Sequence, residues 1–239
     1  MSSARHLVRL LVLVAVCLLT SCIDGHEEIW LNADGSGRAD VTYTLPAVAA
    51  RFQGGAEGVE KLLAKFLRDA PGLTSSSHEV VTDGDRLKIR VKASFDSALE
   101  LREISRSDPM KKLPSSANGL AGKVRVSRHG WALDFSRTIS AGNALPGSSL
   151  LPASQFKDRR LTYILHLPQA PILTNAMRTE NGGRTLIWDQ PLAAAVKTPF
   201  TIQFKSRIPV PTWIYLSAGA AALVIGSAGM FALRGFRKT

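Results

Sequence analysis

The chain has 239 residues, 45% hydrophobic and 21% charged, a balance that excludes an intrinsically disordered protein. Its formal net charge of +11 favours anionic lipid headgroups or acidic polymers as neighbours. Two cysteines, Cys17 and Cys22, are too few for a disulfide framework or a cysteine-rich metal cluster.

The apolar run from Leu10 to Leu19 follows Arg5 and Arg9 and leads into Leu19-Thr20-Ser21-Cys22. A basic start, a short apolar stretch and small residues before the cut predict a secretory signal peptide over 1–21. Cys17 leaves with it. Leu-Thr-Ser ahead of Cys22 resembles the lipobox of bacterial lipoproteins. That resemblance implies cleavage just before Cys22 and lipidation of its sulfur, with acyl chains such as palmitate. The mature chain then keeps no free thiol for catalysis or metal binding.

Residues 22–210 read as one exported α+β domain. Glu28–Asn32 and Arg38–Leu45 flank the glycine-rich turn Ala33-Asp34-Gly35-Ser36-Gly37, which predicts a hairpin. Ala39, Val41, Tyr43 and Leu45 alternate with polar residues, so the second strand has one buried face. Over 56–69 the period becomes helical: Val59, Leu62, Leu63, Phe66 and Leu67 form a stripe that Pro71-Gly72 ends. A second hairpin is predicted at 78–82 and 86–95 around Asp83-Gly84-Asp85. A short helix near 97–106, capped by Asp96, follows it.

Residues 107–122 read as loop. A third hairpin is expected at 123–137 around His129-Gly130, and 138–158 is poorly patterned. Strands near 161–167, 173–179, 184–189 and 199–206 complete the domain. The expected fold class is a mostly antiparallel sheet built from hairpins, with two helices on one face.

Arg86, Lys88, Arg90 and Lys92 alternate with Leu87, Ile89 and Val91. On a strand every second side chain shares a face, so four positive charges line up at a spacing of about 6.6 Å. That is inside the Debye length of about 8 Å, and their fields add. Lys123 and Arg125 extend the face if their strand pairs with this one. Such a face either grips lipid phosphates or acidic polymer, or is the solvated side of a half-buried sheet. Aromatic residues do not interleave with the basic ones, which speaks against nucleic acid.

Pro211 to Leu233 holds 23 residues without a charge, enough to cross a hydrocarbon core of about 30 Å. Trp213 and Tyr215 open it, and Arg234, Arg237 and Lys238 follow it. The expectation is a transmembrane helix over 211–233 with a short basic tail, 234–239, in the cytoplasm. A helical span places the chain in the inner membrane, with the domain on its outer face.

No motif for chemistry emerges. His26, His78, His129 and His166 form no metal-ligand pair. No nucleophile elbow or phosphate loop is present, and Asp34-Gly35-Ser36-Gly37-Arg38 fails as a calcium loop because Arg38 sits at a ligand position. No catalytic residue, metal or cofactor is expected.

The order of a lipobox cysteine, WLNADGSG (30–37), LTNA (173–176), NGGRTLIW (181–188) and a final apolar span resembles the LppM-type periplasmic lipoproteins. The resemblance implies an α+β domain on the outer face of a membrane, with a role in handling or sensing envelope lipids. It carries over no catalytic residues. The expected function is a non-enzymatic envelope lipoprotein that binds lipid or another anionic envelope component. The alternative is a scaffold or assembly subunit of a membrane protein complex, with an envelope hydrolase third.

Overall fold

The computed structural model describes residues 23–207, except 114, 131, 145–147 and 149–151. Cys22 and the segment 211–233 lie outside the described residues. In chain order the elements are β1 (Asp24–Leu31), β2 (Gly37–Pro46), α1 (Ala47–Ala50), α2 (Gly55–Asp69), β3 (Leu73–Asp83), β4 (Arg86–Phe95), α3 (Leu101–Arg106), α4 (Asp108–Lys111), α5 (Ser115–Ala121), β5 (Lys123–His129), β6 (Ala132–Ile139), α6 (Ala141–Ala144), β7 (Arg160–His166), β8 (Leu173–Thr174), β9 (Arg178–Glu180), β10 (Thr185–Pro191), α7 (Leu192–Lys197) and β11 (Phe200–Arg207).

Local chemistry explains the hairpins. In the β1–β2 turn the Asp34 carboxylate accepts hydrogen bonds from the Ser36 amide (3.0 Å) and hydroxyl (2.7 Å), while Gly35 takes φ +90°. Those two bonds, the hydroxyl's first, hold the Asp34 carboxyl below its ordinary value. Helix α2 buries Leu67, and Gly72, at φ +78°, turns the chain into β3.

Two sheets form. The first runs β3-β4-β2-β1-β7-β10-β9 and the second β5-β6-β11-β8. Their apolar faces share one core. Leu161, Tyr163, Leu165, Leu186 and Trp188 from the first sheet join Ile139, Ile202 and Phe204 from the second. Each such buried side chain contributes roughly 1.5–3 kcal/mol relative to exposure.

Three expectations are corrected here. There are two sheets, not one, and β1 pairs with β7 in parallel. That pairing joins segments more than 130 residues apart, so no local turn announces it. The loop expected at 107–122 contains α4 and α5, and further short helices cover the sheet ends, so two helices on one face is too few. Among the described residues no helix is long and apolar enough to cross a membrane. The transmembrane helix of the expected fold class is therefore unsupported, and so are the inner-membrane span and cytoplasmic C-terminus that rested on it.

Ile23 and the end of β11 at Arg207 lie at opposite ends of the sandwich: Arg160 N bonds Asp24 at one end, and Gln169 Nε2 donates to the Arg207 carbonyl at the other. The expected strand 173–179 divides into β8, in the second sheet, and β9, in the first. Asn175 between them ties the sheets together. Its Oδ1 accepts from Trp188 Nε1 (2.9 Å) and Gln203 N (2.8 Å), and its Nδ2 donates to the Thr201 carbonyl (2.7 Å).

Candidate functional site

Strand β1 turns Gly25, Glu27, Ile29 and Leu31 toward the second sheet, with Ile23 just ahead of it in the same core. Gly25 is small for a reason: a Cβ there would lie 2.6 Å from the Tyr43 ring, and Tyr43 must reach across to Glu27. On β6 the inward series is Leu133, Phe135, Arg137 and Ile139. Each series places one ionisable side chain in the core, and the two meet.

Arg137 donates to Glu27 through both terminal nitrogens, Nη1 to Oε2 at 2.5 Å and Nη2 to Oε1 at 2.9 Å. It also donates to the carbonyls of Ala121 (2.8 Å) and Leu120 (3.0 Å) at the end of α5. Tyr43 donates its hydroxyl to Glu27 Oε1. The side chains are 12% and 7% exposed for Arg137 and Glu27, which makes this a charge pair largely removed from water. Burial works against the charged Arg137, and the Glu27 carboxylate more than offsets it, so the guanidinium is held above its ordinary value. Burial, then the negative charge of Glu27, raises both Tyr43 and Tyr163.

Tyr163 completes the cluster. The Arg137 guanidinium lies 5.3 Å from its ring centre. Its hydroxyl is buried and makes no well-formed hydrogen bond among the described residues, although Tyr43 is close enough to act on its titration.

Beyond this polar end runs a cavity of about 70 Å³ between the sheets. Ile29, Leu31, Phe135, Trp188, Ile202 and Phe204 line it, with Glu27, Arg137 and Tyr163 at one end. Its lining, apolar with a few polar groups at one point, has the composition of a small-molecule site, at a volume well below the roughly 300 Å³ at which such sites begin. It has room for a short apolar segment bearing one oxygen, not for a whole acyl chain.

The expected site residues are distributed differently. Cys22 lies outside the described residues. Arg86 donates to Asp24 Oδ2 at 3.0 Å, an oxygen that Arg159 also holds at 2.6 Å. Lys92 faces Asp40 at 3.8 Å. Lys88 and Arg90 are exposed and make no ion pair among the described residues. Lys123 and Arg125 sit on β5 in the second sheet, which does not pair with β4. Their outer face points away from that of the first sheet, so one continuous basic surface does not form.

His166 also departs from a plain surface role. It stacks on Trp30 with ring centres 5.2 Å apart, and its Nε2 lies 2.7 Å from Glu28 Oε1. Among the described residues no group of His, Cys, Asp and Glu is arranged to hold a metal ion.

No family model matches the chain, and no curated protein does. The NMR structure of the folded domain of LppM from Mycobacterium tuberculosis is similar, with a TM-score of 0.51 and 12% sequence identity. The match covers 80% of this chain and 92% of that domain. The chain thus bears a weak resemblance of fold to the LppM folded domain, at a distance where its ligand has to be argued from its own residues.

Proposed function

We propose that this chain is a non-enzymatic lipoprotein of the bacterial envelope whose domain takes a short apolar segment of a lipid between its two sheets. The observation that carries the reading is the inter-sheet cavity, apolar along its length and ending at Glu27, Arg137 and the buried Tyr163 hydroxyl, which makes no well-formed hydrogen bond among the described residues. A well-packed core has few such voids, and a buried polar group without a partner costs about 1–3 kcal/mol. A ligand oxygen that accepts from Tyr163 recovers part of that cost. The lipobox at Cys22 and the likeness to the LppM folded domain support an envelope setting. On the first sheet the wider anionic-surface reading rests on Lys88 and Arg90, since Arg86 and Lys92 face carboxylates, while Lys123 and Arg125 belong to the separate face of the second sheet.

Native mass spectrometry of residues 23–207, exported from a bacterium, tests this. The expected spectrum contains an adduct that fragments as an acyl lipid. Leu133→Trp, which fills the cavity from β6, removes the adduct. A bare protein mass for the unsubstituted domain sinks the reading and favours the scaffold alternative, to be pursued by crosslinking in intact membranes.

A further inference from the structure

Five large apolar side chains stand exposed among the described residues, and three of them, Ile172, Leu173 and Met177, fall within one six-residue stretch. They are 53%, 59% and 59% exposed. The stretch is the strap that closes the open edge of the sandwich. Leu173 is in β8 beside Lys205 of β11, and Met177 bonds through its amide to the Ile187 carbonyl of β10. The strap is well fixed, because Asn175 is held from both sheets. Ile172 and Leu173 are therefore exposed on an ordered frame rather than a loose loop, while Met177 lies back along β10, its sulfur accepting from the Asp189 amide at 3.4 Å with the rest of the side chain exposed.

Basic residues flank the strap. Ile172 N donates to the Lys205 carbonyl and Gln169 Nε2 to the Arg207 carbonyl. A Cβ on Gly183 would touch Ala170 at 3.3 Å, which brings the neighbouring Arg184 alongside. Arg184 and Arg207 are exposed and make no ion pair among the described residues. Lys205 and Arg178 are neutralised by Asp134 (3.5 Å) and Glu180 (2.9 Å).

We infer that this edge docks on an anionic lipid surface, with Ile172 and Leu173 entering the acyl region, Met177 lying at its boundary, and Arg184 and Arg207 meeting the phosphates. Aliphatic side chains beside two arginines that make no ion pair among the described residues match a headgroup layer over hydrocarbon. A protein partner fits less well. The patch has no aromatic anchor, and β8 is two residues long with Pro168 and Pro171 just ahead of it, a poor template for an added strand. Docking by this edge lays the strands along the surface. It goes beyond the cavity reading and stands or falls separately, because none of the three residues lines the cavity.

The test places a benzophenone amino acid at 173, at 177 and, as control, at 81 on the opposite edge strand β3. The full chain is used, in membranes rich in anionic phospholipid. On irradiation, positions 173 and 177 are expected to give phospholipid adducts well above position 81. Arg184→Ser with Arg207→Ser lowers those yields roughly tenfold at low salt. Yields at 173 no higher than at 81, yields unmoved by the double substitution, or adducts with a protein or a second copy of this chain would each overturn the inference.

Discussion

Glu27 and Arg137 are the residues on which the sandwich is most exposed to damage. Each satisfies the other inside an apolar core, so removal of one leaves the other charged, desolvated and unpaired. Such a break costs about 3–5 kcal/mol, whereas replacing a whole buried pair by apolar residues is often neutral. Glu27→Leu and Arg137→Met are each expected to lower the urea midpoint sharply. The double variant is expected to be more stable than either single one, with the coupling read from a double-mutant cycle. The tyrosines add a pH dependence. Tyr43 and Tyr163 hold their phenolic protons more tightly in the folded chain than their ordinary value of 10.0. The stability this supplies is complete below that value and is lost as pH rises toward the folded values, because the unfolded chain gives up those protons first. Denaturant midpoints are therefore expected to fall above about pH 10. Tyr43→Phe should flatten that fall while costing about 1–2 kcal/mol at neutral pH through its lost bond to Glu27. An alkaline slope unchanged in Tyr43→Phe would remove the phenol from the account.

At the scale of elements, the strap between β8 and β9 shows what a short motif can mean. Asn175 belongs to the stretch 173–176, and Trp188 to 181–188, two of the stretches that carry the resemblance to LppM-type proteins. The structure joins them through one side-chain hydrogen bond. Asn175→Ala leaves the buried Trp188 indole N–H and two β11 backbone groups without this partner, at about 1–3 kcal/mol for each that water does not reach. The expected result is a loss of about 2–4 kcal/mol and an altered near-ultraviolet signal from Trp188; a neutral effect would show that the clasp is ornamental. Other elements differ in how far their sequence announces them. Turn chemistry at Gly35, Gly84 and Gly130, with strict alternation between, marks the β1–β2, β3–β4 and β5–β6 hairpins, because a hairpin is a local object. The parallel β1–β7 pair and the closure of one sheet over another depend on distant segments and leave no local trace. The helices inside 107–122 are too short for a period to emerge. The polar end of the cavity does carry a signal: Glu27 and Arg137 occupy inward positions in strands whose other inward residues are apolar or small. A charge at such a position requires a buried partner, and two of opposite sign in one chain suggest each other. The basic ladder is legible as an alternation, but its charge balance is not, since Asp24 and Asp40 reach it from other strands.

For the molecule as a whole, the decisive fact is the absence of slack at its N-terminal end. Ile23 is 5% exposed and belongs to the core, and β1 begins one residue later. An acyl group on Cys22 would thus join the folded domain with no linker between. Strand β1 then extends for eight residues, roughly 26 Å at 3.3 Å each, toward the end where β11 finishes. An upright domain would hold Ile172 and Arg207 about that far from the surface, where Ile172 reaches no hydrocarbon and the Arg207 charge, several Debye lengths away, counts for nothing. Acylation at Cys22 and docking through the strap are compatible only when the strands lie along the membrane, so the lipidation step sets the orientation. Cys22→Ala tests that step directly. The variant is expected to accumulate as an uncleaved precursor, heavier by its signal segment, because cleavage at a lipobox requires the acylated sulfur. The described core begins at Ile23, so the unfolding stability of the domain is expected to stay within about 0.5 kcal/mol of the parent. A mature mass identical to that of the unsubstituted chain would falsify the lipobox reading. A precursor whose domain no longer unfolds cooperatively would show instead that Cys22 belongs to the core.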